Sequence, residues 1–105
     1  MCWESMPKKV EFTKLAQLEL DDAFEYYESQ LVGLGTRFIS EVNAGLQRVL
    51  SHPTSWQKIT KRTRRCLLHN FPFGLIYTVN NNSIVIIAVA NLHRKPEYWI
   101  DRLGG

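Results

Sequence analysis

FGLIYTVNNNSIVIIAVA, residues 73–90, is the stretch whose reading decides the fold. In its first half Phe73, Leu75, Tyr77 and Val79 alternate with Gly74, Ile76 and Thr78, which is the two-residue period of a strand in a sheet. Asn80, Asn81, Asn82 and Ser83 follow, and asparagine tolerates the left-handed backbone that tight hairpins require. The second half, Ile84 to Ala90, is apolar at every position and predicts a central strand covered on both faces. The pair reads as the centre of an antiparallel sheet, for which the remaining residues must supply neighbours and a cover.

Working outward, Arg65 to Asn70 reads as a further strand before the hairpin, and Lys9 to Phe12 as a short first strand with Val10 and Phe12 on one face. Thr13 offers a cap for a helix from about Lys14 to Gln30. On that helix Ala16, Leu20, Ala23, Tyr27 and Leu31 form one apolar stripe, while Glu19, Asp22, Glu25 and Glu28 point elsewhere, as a solvated face would. Gly33-Leu34-Gly35 breaks the chain, and Thr36 is expected to open a second helix running to about Ser51 with the stripe Phe38, Val42, Leu46 and Val49. The glycine pair is not a nucleotide-binding loop, because Phe38 stands where a third glycine is needed and a helix precedes it. Pro53 closes the helical region. The expected order is β-α-α-β-β-β, an α+β domain with a helical hairpin packed on one face of a small, mostly antiparallel sheet.

A chain of 105 residues has room for one core, so residues 1–105 are expected to form a single domain. Met6 offers an alternative start, and residues 1–6 are expected to be a loose N-terminal extension. The longest apolar run has seven residues, Ile84 to Ala90, where a membrane span needs about 20. The opening MCWESMPKK has no hydrophobic segment of the kind a secretion signal carries, so a cytoplasmic protein is expected. Cys2 and Cys66 then read as free thiols.

The net charge is +3, unevenly distributed. Residues 1–43 hold eight acids against four bases, whereas residues 44–105 hold nine bases and only Glu97 and Asp101 as acids. Between Glu41 and Glu97 there is no carboxylate, and within that gap KITKRTRR, residues 58–65, places five bases in eight positions. Such a run either attracts a polyanion or serves as a solvated loop. No metal is expected, since His52, His69, His93, Cys2 and Cys66 stand at none of the short spacings of zinc sites. No cofactor motif is present, no serine sits in a nucleophile elbow, and Cys66 inside a strand would be protonated and inert.

The remaining chemistry is cationic: Arg62, Arg64 and Arg65 before one strand, Arg94 and Lys95 after the last, with Tyr98 and Trp99 close behind. These groups would hold a nucleic acid, by neutralising phosphate and stacking a base, or an acidic protein partner. A structural reading stands beside this, with Tyr98 and Trp99 packing a C-terminal turn and Arg94 pairing with Glu97 or Asp101.

Four segments in this order and spacing resemble the RelE/ParE superfamily of toxins, also called plasmid stabilisation proteins: LDDAFEYYESQLVGLGTRFISEV (20–42), HPTSW (52–56), RRCLLHNFPFGLIY (64–77) and AVANLHRKPEYWIDR (88–102). The resemblance covers Val10 to Arg102 and leans toward the ParE type. It implies the toxin component of a type II toxin–antitoxin system that inhibits growth by binding an essential target, DNA gyrase, and is neutralised by a cognate antitoxin. Target-binding residues would be Arg62, Arg64, Arg65, Arg94, Lys95, Tyr98 and Trp99. The alternative from the same resemblance is a RelE-like, metal-independent endoribonuclease acting on messenger RNA in the ribosome, with Arg65, His93, Arg94 and Tyr98 as its catalytic set.

Against that alternative, Gly74 stands at the position of the RelE strand arginine, Leu67 at one expected base and Leu92 at another, so the reading leans away from an enzyme. Asn91 stands where relatives often carry histidine, keeping an amide but no titratable ring. A third class is an inactive member that only binds nucleic acid or a protein partner. An apolar surface beside the sheet, for the antitoxin or for a homodimer, is expected as well.

Overall fold

The computed structural model describes residues 9–80 and 83–92. Within them the order is β1 (Lys9–Phe12), α1 (Lys14–Gln30), α2 (Leu34–Ser51), β2 (Gln57–Lys58), β3 (Arg64–Leu67), β4 (Phe73–Asn80) and β5 (Ser83–Asn91). The strands form one sheet in the order β1-β5-β4-β3-β2. β1 runs parallel to β5, and the other neighbours are antiparallel. This is the expected α+β layout with one strand more: β2 is too short to leave a period in the sequence.

The 73–90 hairpin forms as read, with Asn80 paired to Ser83 across a two-residue connection whose asparagines, 81 and 82, lie outside the described residues. β5 is indeed inside the sheet and covered on both faces. Ile84, Ile86 and Val89 face the helices with Leu75 and Tyr77, whereas Ile87, Ala88 and Ala90 lie in a second cluster with Ile76, against Ile59 and Val85. A register shift opposite Ile76 and Tyr77 inserts Ile87 as an extra residue, so the helix-facing positions change from even to odd numbers along the strand. A continuous apolar run gives no hint of that change of phase.

Thr13 caps α1 as expected, its Oγ1 accepting from the Ala16 amide at 3.2 Å. Ala16 and Ala23 are buried, and Leu20 and Tyr27 pack on the core, but Leu31 falls at the C-cap and is 62% exposed. The stripe ends with the helix. Two of the acids read as solvated are engaged. β1 pairs only with Ser83 to Ile86, so β5 runs on past the end of its neighbour, and Glu19 accepts from the Val89 amide there at 3.1 Å.

Glu28 accepts from the amides of Gly33, at 3.0 and 3.2 Å, and Gly35, at 3.0 Å. It thereby caps α2, which starts at Leu34 after a glycine at φ 90° that has no side chain to do so. Thr36, the expected opening residue, is exposed inside the first turn. A Cβ at Gly35 would stand 2.8 Å from the Phe24 carbonyl oxygen, so the close approach of the two helices requires glycine there. Tyr27, Phe38, Phe71 and Phe73 pack with ring centroids 4.9–6.1 Å apart beneath the hairpin. β3 ends at Leu67 rather than Asn70, because Asn70 takes φ 69° in the turn that Leu68 closes by donating to the Phe73 carbonyl.

Candidate functional site

The basic run 58–65 is a strand, a turn and a strand rather than a loop. Lys58 pairs with Arg64 and Gln57 with Arg65. Between them the Ile59 amide donates to the Thr63 carbonyl at 2.9 Å, the hydroxyls of Thr60 and the fully buried Thr63 lie 2.7 Å apart, and the Arg62 amide donates to Thr60 Oγ1 at 3.2 Å. The turn therefore carries Lys61 and Arg62 on a fixed backbone, with their side chains exposed.

Strand alternation then separates the arginines. Arg64 points to the helical side, where its guanidinium donates to the Trp56 carbonyl at 2.8 Å. Arg65 lies on the opposite face with its stem over Gly74, where an added Cβ would stand 3.1 and 3.3 Å from its Cγ and Cδ. Its guanidinium donates to Gln57 Oε1 at 2.9 Å.

Lys58, Lys61, Arg62 and Arg64 line a cleft of about 770 Å3, together with Thr13, Thr54, Thr63, Thr78 and Asn80 and the apolar Val79, Val85 and Ile87. Tyr77 lies at its base, fully buried, its hydroxyl donating to the Pro53 carbonyl at 2.6 Å; burial pushes its pKa up to about 12. Among the described residues no carboxylate lines this cleft, and the Lys9–Glu11 ion pair on β1, at 3.5 Å, lies outside it.

Arg62 and Arg64 are thus brought together, joined by Lys58 and Lys61, which the choice of site residues missed although they belong to the same run. Arg65 is not part of the cleft. β5 leaves the sheet at Asn91, opposite Phe73, at the end away from the Lys61–Arg62 turn. His93, Arg94, Lys95, Tyr98 and Trp99 lie outside the described residues.

Near Asn91 the surface has another character. Leu67 pairs with Gly74 and Gly74 with Ala90, and Leu92 donates to the Pro72 carbonyl. Leu67 and Leu92 are 44% and 43% exposed. Leu15, Leu18 and Tyr26 on α1 and Leu31 and Val32 at the helical turn are also exposed, so apolar surface lies on α1 as well as beside the sheet. Cys66 is buried, with its thiol pKa raised by burial and opposed by Arg48, which donates to the Leu67 carbonyl at 3.1 Å and lies 6.0 Å from the Trp56 ring. Among the described residues no three metal-ligating side chains converge, and no helix is long and apolar enough to cross a membrane.

A helical hairpin lies on one face of a mixed five-stranded sheet of order β1-β5-β4-β3-β2. Residues 10–98 match the family model for the ParE toxin of the type II toxin–antitoxin system parDE, and the chain belongs to that family. A solved structure described as the chromosomal ParDE TA system from P. aeruginosa shares the fold with a TM-score of 0.70 at 16% sequence identity, over 86% of this chain and 99% of that one. No curated protein matches.

Proposed function

We propose that the chain inhibits growth by binding DNA gyrase rather than by cutting RNA, and that a cognate antitoxin neutralises it. The observation that carries this is the surface around Gly74. A metal-independent nuclease must surround its phosphodiester with cations that stabilise the charge of the transition state, and each lost donor typically costs about 3–4 kcal/mol. Here Gly74, Leu67 and Leu92 stand at three such positions, and the stem of Arg65 lies over the glycine. Leu67 and Leu92 expose apolar surface instead, which suits contact with a protein. Membership of the ParE family supports the same reading, as does a neighbour whose description names a toxin–antitoxin system, from which the antitoxin partner is inferred. Toxin, antitoxin and gyrase would then meet in the cytoplasm. Arg65, Arg94, Lys95, Tyr98 and Trp99 remain the proposed target-binding edge.

Two reactions run in parallel test this. Purified chain is added to gyrase with relaxed plasmid, and separately to a ribosomal translation mixture whose transcripts are mapped by primer extension. Inhibited supercoiling with intact transcripts is expected. Cut transcripts with unaffected supercoiling would overturn the proposal in favour of the endoribonuclease built on Arg65, His93, Arg94 and Tyr98, and inactivity in both would leave a member that only binds.

A further inference from the structure

We propose that the cleft walled by Lys58, Lys61, Arg62 and Arg64 binds the phosphodiester backbone of a single-stranded nucleic acid without reading its sequence. Four observations carry this, and none depends on the gyrase reading. First, the cations are not neutralised: no carboxylate lines the cleft among the described residues, and none occurs in the chain between Glu41 and Glu97. Four positive groups facing one concavity repel each other, and an anion relieves that repulsion.

Second, the backbone that carries the cations is fixed before any ligand arrives, and the Arg64 guanidinium with it. Lys58 and Arg64 are paired across β2 and β3, Arg64 is tied to the Trp56 carbonyl, and the Lys61–Arg62 turn is closed by the backbone and hydroxyl bonds of Thr60 and Thr63. Less ordering entropy is therefore lost on binding than from a mobile loop. Third, the cleft is a concavity of about 770 Å3, room for a short stretch of a flexible strand.

Fourth, the aromatic ring at the cleft, Tyr77, is fully buried with its hydroxyl engaged, so it offers no face on which a base could stack. The free hydroxyls of Thr54 and Thr78 are donors suited to phosphate oxygens. Among the described residues, then, the cleft presents partners for phosphates and no exposed ring for a base to stack on. Single strands with one charge in every unit match cations that follow one another from the paired strands into the turn.

The test is fluorescence anisotropy of a labelled oligothymidylate with the full chain at increasing salt. Contact with four phosphates predicts a slope of log affinity against log salt near about −2.8, which is about 50-fold weaker binding when salt rises fourfold. The Lys61→Gln/Arg62→Gln variant is expected to halve that slope and weaken binding at least about tenfold at the lowest salt. Lys14→Gln/Arg37→Gln makes the same charge change at exposed positions outside the cleft and is expected to leave the slope unchanged. Circular dichroism confirms that both variants are folded. A flat salt response, or equal losses in the two variants, would overturn the proposal. So would displacement by inorganic tripolyphosphate or a polyglutamate peptide at lower concentration than by unlabelled oligothymidylate, since either would assign the cleft to another ligand.

Discussion

Replacing Glu28 by alanine should destabilise the fold by about 2 kcal/mol, although the sequence places this residue on a solvated helix face. Its carboxylate holds the amides of Gly33 and Gly35 at 3.0–3.2 Å and so serves as the cap that α2 lacks at its own N-terminus. Loss of a helix cap typically costs about 1 kcal/mol. Removing a negative charge from the positive end of a helix dipole adds about 0.3–1 kcal/mol, toward the upper end for a half-buried group. The buried Gly35 also keeps an amide without its acceptor, which brings the total to about 2 kcal/mol.

Urea unfolding followed by far-ultraviolet circular dichroism measures this directly, and the dependence on urea should keep its slope while the midpoint falls. In a thermal scan a domain of this size should lose about 4 °C per kcal/mol, hence about 8 °C. Glu28→Gln keeps one neutral acceptor and should lose about half as much. Glu25→Ala, an exposed acid one turn earlier, should stay within about 0.5 kcal/mol of the parent chain. If Glu28→Ala behaves like Glu25→Ala, the capping argument is refuted.

Tyr77→Phe removes the hydroxyl bonded to the Pro53 carbonyl and should cost about 1 kcal/mol in urea unfolding at neutral pH. The Tyr77 pKa is raised in the folded state from 10.0 to about 12, so its contribution is complete below pH 10 and lost as pH rises toward 12; the phenylalanine variant should lose less stability over that window in alkaline titrations. Gly35→Ala should cost about 2–3 kcal/mol, because its Cβ would meet the Phe24 backbone oxygen at 2.8 Å. Gly74→Ala crowds the flexible stem of Arg65 at 3.1 Å and touches Leu67 at 3.5 Å, and should change the melting temperature by a few degrees at most. The Cys66 thiol is fully buried and its pKa is raised, so peptide mapping after iodoacetamide treatment at neutral pH should find it unmodified in folded protein and alkylated in urea.

Element types were legible because they depend on local periods: alternation gave β4, the stripes of Phe38, Val42 and Val49 and of Ala16, Ala23 and Tyr27 gave the helical pair, and Thr13 gave the cap. Failures came where a partner is remote or an element is too short for a period. Glu19 meets an amide seventy residues away, β2 has two residues, and the register shift at Ile87 leaves no trace in a run that is apolar throughout.

The same division holds for the site. The amino-acid sequence by itself determined that bases accumulate between residues 58 and 65 without a neighbouring acid, and that a helical pair covers a sheet built on the 73–90 hairpin. Only the tertiary structure decided that Arg64 faces a cleft with Lys58, Lys61 and Arg62 while Arg65 lies over Gly74 on the other side. The reason is that adjacent residues of a strand point to opposite faces, and which face receives which residue is fixed by pairing with distant strands rather than by the residues themselves.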